Sequence, residues 1–196
     1  MSQQVTLKLT NVTLTQTTDS VQVTQAVPEV VIAGISGPAG PAGPSWTGYY
    51  GSFSDSTTQT ITADTAKAVT FDTTEETDGV AIGTPTSRIV IANAGTYNIQ
   101  FSAQIDKTDG GSDDITIWLD VDGNDVARSA TDLTIPNNPG RDVAAWNWVY
   151  TFTAGQYFRL MWSTPDNRMR LLAAGTRTGP VRPAVPSVIL TVTQVQ

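Results

Sequence analysis

Glycine recurs at every third position from residue 34: Gly34-Ile35-Ser36, Gly37-Pro38-Ala39, Gly40-Pro41-Ala42 and Gly43-Pro44-Ser45. Proline follows glycine in the last three triplets, at Pro38, Pro41 and Pro44. Proline pre-sets the extended polyproline-II dihedral, and where three such chains wind together only glycine fits at the crowded axis. The register therefore predicts a three-chain neck over residues 34–45, with Gly34, Gly37, Gly40 and Gly43 at the axis. It ends at Trp46, whose indole stands where the next glycine is required. An ordinary Pro/Gly linker is the competing reading. Either one places a domain boundary here.

The pattern is that of collagen in shortened form. At about 3 Å per residue the neck spans only about 35 Å, too little to hold a triple helix together alone. Trimerisation must come from the flanking segments.

Residues 1–33 alternate in the manner of β-strands, with Val5, Leu7 and Leu9, then Val12 and Leu14, Val21 and Val23, and Val30 to Ile32. So short a piece buries little core by itself, so it is expected to pack against symmetry mates or a docking partner. It reads as an attachment segment, with an unstructured tail as the alternative.

From Trp46 to the last residue, short runs of β-branched and aromatic residues are broken by Gly, Pro, Asn and Asp, without an amphipathic stretch of helical length. Residues 46–196 are expected to form an all-β head. Strands are predicted at 48–54, 68–71, 88–91, 96–105, 114–121, 125–130, 145–152, 157–164 and 187–195, a set that suits a sandwich or jelly roll better than a small barrel. Tyr97, Ile99, Phe101, Ala103 and Ile105 alternate strictly, as do Ile115, Ile117, Leu119 and Val121, so each strand buries one face. Trp118 points to the opposite face and is a candidate subunit contact. Trp146, Trp148 and Tyr150 share one face of another strand. Such a row either forms a trimer interface or stacks on a glycan.

Composition removes whole classes of chemistry. The chain has no cysteine and no histidine, which excludes disulfides, thiolate nucleophiles, His-based catalytic pairs and the commonest transition-metal ligands. Eleven basic against 18 acidic residues give a net charge of −7, opposite in sign to a nucleic-acid-binding surface. No apolar run reaches the length of a membrane span, and the first residues lack the pattern of a secretory signal. A soluble chain, assembled in the cytoplasm of the cell that makes it, is expected. No cofactor and no metal is called for.

Several carboxylate clusters invite other readings. Residues 120–125 resemble a calcium loop, but the sixth and twelfth positions hold Asp125 and Thr131 instead of Gly and Glu. Asp122-Gly123 instead signals a tight hairpin turn. Asp106, Asp109, Asp113 and Asp114 surround Gly110-Gly111 as a solvated loop tip or a hard-cation site. Glycosidic cleavage needs two convergent carboxyls, and none stand out as a pair, so no catalytic residue is assigned. Arg168, Arg170, Arg177 and Arg182 concentrate positive charge late in the chain, to meet acids of neighbouring subunits or an anionic host glycan.

Gly95, Tyr97, Ile99 and Phe101 resemble the Gly-x-Tyr-x-Ile-x-Phe strand of the C1q and tumour-necrosis-factor-like jelly rolls. Residues 119–124 resemble a hairpin of that fold, residues 152–160 its aromatic-then-glycine turn, and residues 186–192 the closing strand of phage fibre heads. The resemblance implies a tight homotrimer. The Thr/Val-rich start leading into Gly-Pro-Ala triplets is similar to the attachment ends of bacteriophage fibres. It implies a structural, non-enzymatic fibre or spike at the virion surface, bound to other virion proteins through residues 1–33, with a head that faces solvent or a host-surface glycan. A collagen-stalked bacterial surface or spore-coat protein and a glycan-cleaving tail spike are the alternatives.

Overall fold

The computed structural model describes residues 12–17, 20–25, 48–136 and 140–196. The chain divides into two compact units, Met1–Ser45 and Trp46–Gln196. In the first unit β1 (Val12–Thr17) and β2 (Ser20–Gln25) pair antiparallel, with Leu14 opposite Val23 and Thr17 opposite Ser20. The neck residues Gly34, Gly37, Pro38, Gly40, Pro41, Gly43 and Pro44 lie outside the described residues, as does the rest of the attachment segment.

The second unit is built from β3 (Tyr50–Asp55), β4 (Gln59–Thr60), β5 (Thr65–Ala68), β6 (Thr73–Asp78), β7 (Val80–Ile82), β8 (Ile89–Ile91), β9 (Gly95–Lys107), β10 (Asp113–Val121) and β11 (Asn124–Asp125). It continues with β12 (Thr131–Ile135), β13 (Gly140–Phe152), β14 (Tyr157–Thr164), β15 (Met169–Leu171), β16 (Arg177–Thr178), β17 (Val181–Arg182) and β18 (Val188–Gln194). Among the described residues every regular element is a strand and the strand pairings are antiparallel. The unit is all-β.

One sheet runs β13-β9-β18-β3-β6, with β15 and β4 continuing beside the last part of β9. The other runs β12-β10-β14-β8-β7, with β11 beside the end of β10 and β5 beside the end of β14. Their inward residues form one core: Tyr97, Ile99, Phe101, Ala103 and Ile105 of β9, Ile115, Ile117 and Leu119 of β10, Phe158, Leu160 and Trp162 of β14, and Val188, Leu190 and Val192 of β18. Burying each large apolar side chain is worth about 1.5–3 kcal/mol, and a one-residue slip would turn a whole row outward. The alternation in the sequence therefore fixes the register of these four strands.

Several expected strands differ. Residues 68–71 do not form one; β5 ends at Ala68, and Val69 and Phe71 are buried in an irregular segment. The strand expected over 125–130 ends at Asp125, because a turn with Arg128 at φ 68° follows, and the chain resumes as β12. The exposed strand β6, with Glu75 and Glu76, carries no alternation to reveal it. Asp122 and Gly123, at φ 51° and 85°, make the two-residue turn between β10 and β11 expected of Asp-Gly.

The unit has two ends. Near residue 48, the Tyr49 amide donates to Gln194 Oε1 at 3.2 Å and the Thr96 amide to the Gln196 carbonyl at 2.7 Å. The opposite end carries the turn after β3, the β9–β10 loop, the β14–β15 turn and residues 172–187, which cross back to β18 through an Ala174–Val185 bridge.

Candidate functional site

Up to the pair Val143–Gln104 the outer face of the first sheet is free of charge across four strands; beyond it the same rows end in Arg141 and Asp106. Val143, Ala145, Asn147, Val149 and Thr151 of β13 lie opposite Gln104, Ser102, Gln100, Asn98 and Thr96 of β9. Ile189, Thr191 and Thr193 of β18 and Ser54, Ser52 and Tyr50 of β3 continue it. Val149 is 62% exposed, Val143 48% and Ile189 42%. Asn147 donates to Asn98 Oδ1 at 2.7 Å and the Thr96 and Thr151 hydroxyls meet at 3.0 Å, so part of the polar capacity of the face is used within the chain. In a chain of net charge −7 a broad neutral face with exposed valines is a surface suited to contact with protein.

The aromatic row of β13 turns the other way. Trp146, Trp148 and Tyr150 alternate with the exposed residues and lie half-buried against the core, at the edge of the first sheet. Trp148 stacks on Phe101 with centroids 5.3 Å apart and planes 10° apart, and Trp146 meets the same ring edge-on at 4.8 Å. The Trp148 indole donates to the Ser129 carbonyl at 3.0 Å. The buried Trp146 Nε1 has no acceptor among the described residues. Much of the row's surface is thus spent on packing inside the chain, and only its outer edge is exposed.

Trp118 stands apart from that row, on the outer face of the second sheet opposite Met161. Its indole donates to Asp125 Oδ1 at 2.6 Å. Nearby Arg159 donates to buried Asp120 at 2.8 Å, and this hydrogen bond, against burial and with the charge of Asp120, raises the guanidinium pKa. Arg88 lies over the Tyr157 ring at 4.3 Å. The structure does not bring Trp118 together with Trp146, Trp148 and Tyr150.

The carboxylates that suggested calcium have protein partners. Asp122 accepts from the Tyr157 amide at 3.1 Å and from Gln156 Nε2 at 2.8 Å, Asp120 from Arg159, and Asp125 from Trp118. In the β9–β10 loop the buried Lys107 ammonium lies 2.6 Å from Asp113 and 3.7 Å from Asp109, and donates to the Gly110 and Gly111 carbonyls at 3.0 and 2.6 Å. Asp109, Asp113 and Asp166 bring carboxylate oxygens within 4.8 Å of one another, a spacing that suits a hard cation. Lys107 already supplies a positive charge there. Its pKa is raised, first by the hydrogen bond to Asp113, against burial, and further by the charges of Asp113 and Asp109.

The sequence singled out neither the neutral outer face nor the pairing of Asp106 with Arg141 and Arg170. The face had a signal, since Val143 and Val149 of β13 are in step with Asn147, the residue between the two tryptophans, but the large aromatics drew attention to the opposite side of that strand. Asp106 had none, because Arg141 and Arg170 approach it from two other strands.

Fold and surface together define an all-β unit of two antiparallel sheets around one core, with a neutral face suited to protein contact. No family model matches the chain, and no curated protein matches it. Among the described residues no helix is long and apolar enough to cross a membrane.

Proposed function

We propose that this chain is the subunit of a homotrimeric virion fibre or spike, anchored by residues 1–33, spaced by the collagen-like neck 34–45 and displaying residues 46–196 as a jelly-roll head. The observation that carries the reading is the neutral outer face of β13, β9, β18 and β3. Its stretch from Ala145 to Thr151, with the parts of β9, β18 and β3 beside it, is the surface that a second subunit would cover, leaving Val143 and Gln104 outside the contact, and the three-chain register of the neck supplies the number of subunits.

The strand order supports the jelly-roll assignment. Taking the eight longer-range strands in chain order as β3, β8, β9, β10, β12, β13, β14 and β18, first, eighth, third and sixth are neighbours in one sheet, and second, seventh, fourth and fifth in the other. This is the nested order of a double Greek key. Asp106, Asp113, Asp120, Asp122 and Asp125 are each engaged by a donor of the chain itself, which gives them a structural role within the head.

The test separates attachment from display. A chain beginning at Trp46 is expected to fold as a trimer by light scattering yet stay off assembled particles, while residues 1–45 fused to an unrelated trimeric head are expected to join them. A monomer at micromolar concentration overturns the trimeric fibre. Incorporation of the truncated head without the fusion reverses the polarity.

A further inference from the structure

At the end remote from residue 48, an open-sided cleft of about 430 Å³ gathers Arg141 of β13, Arg177 of β16 and Arg182 of β17, with Gln104, Val143 and Val185 among its walls. Three guanidiniums around one cleft are unexpected in a chain of net charge −7. Arg177 and Arg182 are moreover directly opposite each other in the short β16–β17 ladder. Like charges in that position destabilise an antiparallel pair, and a two-stranded hairpin is marginal to begin with. Neither has a carboxylate partner among the described residues.

Two of the three cationic groups are nonetheless held in place. Arg182 Nη1 donates to the Gly175 and Pro183 carbonyls at 3.0 and 2.9 Å. Arg141 Nε is fixed on buried Asp106 at 2.7 Å. The one acid in the wall, Asp142, accepts from the Val143 amide at 2.7 Å. Planar guanidinium forks placed in advance match the oxygens of a carboxylate or phosphate. The size lies at the lower end of the roughly 300–1,000 Å³ typical of small-molecule sites, and Val143 and Val185 offer apolar surface to the C–H face of a ring.

We propose that this cleft binds a negatively charged sugar, its carboxylate or phosphate held by Arg141, Arg177 and Arg182. The inference rests on the displayed-head reading above only for where such a sugar is met. It names the class of ligand for the end of the head that points away from residue 48.

The probes are tri-galacturonate, its methyl ester, glucose 1-phosphate and inorganic phosphate, titrated calorimetrically into the full chain at low salt. At least one of the two charged sugars is expected to bind, with the neutral ester and the Arg177→Gln/Arg182→Gln double variant weaker by at least about tenfold. Lys67→Gln, on the other sheet, should bind as the unaltered chain does. Equal binding of ester and acid, undiminished binding by the double variant, or phosphate competing as well as either sugar overturns the proposal, the last leaving an adventitious ion only. Dissociation of the trimer in the double variant overturns it too, by making the arginines a subunit contact. Particles carrying the double variant separate the two readings. If sugar binding is lost and adsorption persists, the cleft stands and host attachment through it falls; if particles need the head to adsorb but the head binds no charged sugar, the cleft alone falls.

Discussion

Arg141 Nε lies 2.7 Å from Oδ1 of Asp106, a carboxylate only 2% exposed, while Arg170 holds Oδ2 of the same group at 2.7 Å. The two arginines come from strands on either side of β9, so the carboxylate ties three neighbouring strands together at one end of the sheet. Removing both arginines leaves a buried charge without a partner, whereas removing the carboxylate frees two guanidiniums that already touch solvent. Arg141→Ala/Arg170→Ala is therefore expected to cost about 3 kcal/mol and Asp106→Asn about 1–2 kcal/mol, read from urea midpoints. The opposite ranking would show that the arginines, not the carboxylate, carry the cost of burial.

Lys107 makes a different prediction, because its folded pKa is raised, by the Asp113 hydrogen bond before any other favourable cause. Its contribution to stability is complete below the unfolded lysine value of about 10.4 and is lost as pH climbs through the higher folded value. The melting temperature of the unaltered chain should thus fall in this alkaline range by more than that of Lys107→Met. The variant should also exchange amides faster over residues 108–113, whose Gly110 and Gly111 carbonyls lose their donor. Parallel pH profiles would mean that the ammonium does not hold the loop.

Val149 tests the neutral face. Its side chain is 62% exposed and points away from the core, so Val149→Lys leaves the packing of one subunit intact. Placed in a buried, charge-free subunit contact, an ammonium without a partner costs enough to separate the subunits. Sedimentation is expected to move from trimer to monomer while the near-ultraviolet circular dichroism of Trp146 and Trp148 stays unchanged. A trimer that survives the substitution puts the contact elsewhere.

The strands legible in the sequence were those with one buried face. β9, β10, β14 and β18 follow the alternation of Tyr97 to Ile105, Ile115 to Val121, Phe158 to Trp162 and Val188 to Val192, since a period of two is the physical consequence of facing a core on one side. β6 escaped because an edge strand of Thr and Glu has solvent on most sides and no period to display. The packing of the β13 aromatics was hidden for a related reason. Tryptophan looks like a surface platform in isolation, but Phe101 lies across the ladder from Trp146 and two residues from Trp148's partner Ile99, which draws both indoles inward. Of the arginine cleft, Arg177 and Arg182 stood out in the sequence as late positive charge, whereas Arg141 did not, since it joins them through the return of residues 172–187 and not through any local spacing.

The Asp122-Gly123 turn supplies the last prediction, because it separates a hairpin from a calcium loop. Gly123 has φ 85°, and an added Cβ would meet only the Tyr157 hydroxyl, at 3.6 Å, so Gly123→Ala carries a backbone cost of about 1 kcal/mol and little else. Gly79 has a similar φ of 69°, but there a Cβ would lie 2.5 Å from the Tyr49 ring, so Gly79→Ala should cost distinctly more. Calcium and EDTA should leave the melting temperature of the unaltered chain and of Gly123→Ala where they were. The carboxylates of Asp120, Asp122 and Asp125 are engaged by Arg159, by the Tyr157 amide with Gln156, and by Trp118, and a cation would have to break those bonds to enter. A rise in melting temperature with calcium that disappears in Asp122→Ala would mean that these donors give way to the ion, and the turn would then have to be read as a metal loop.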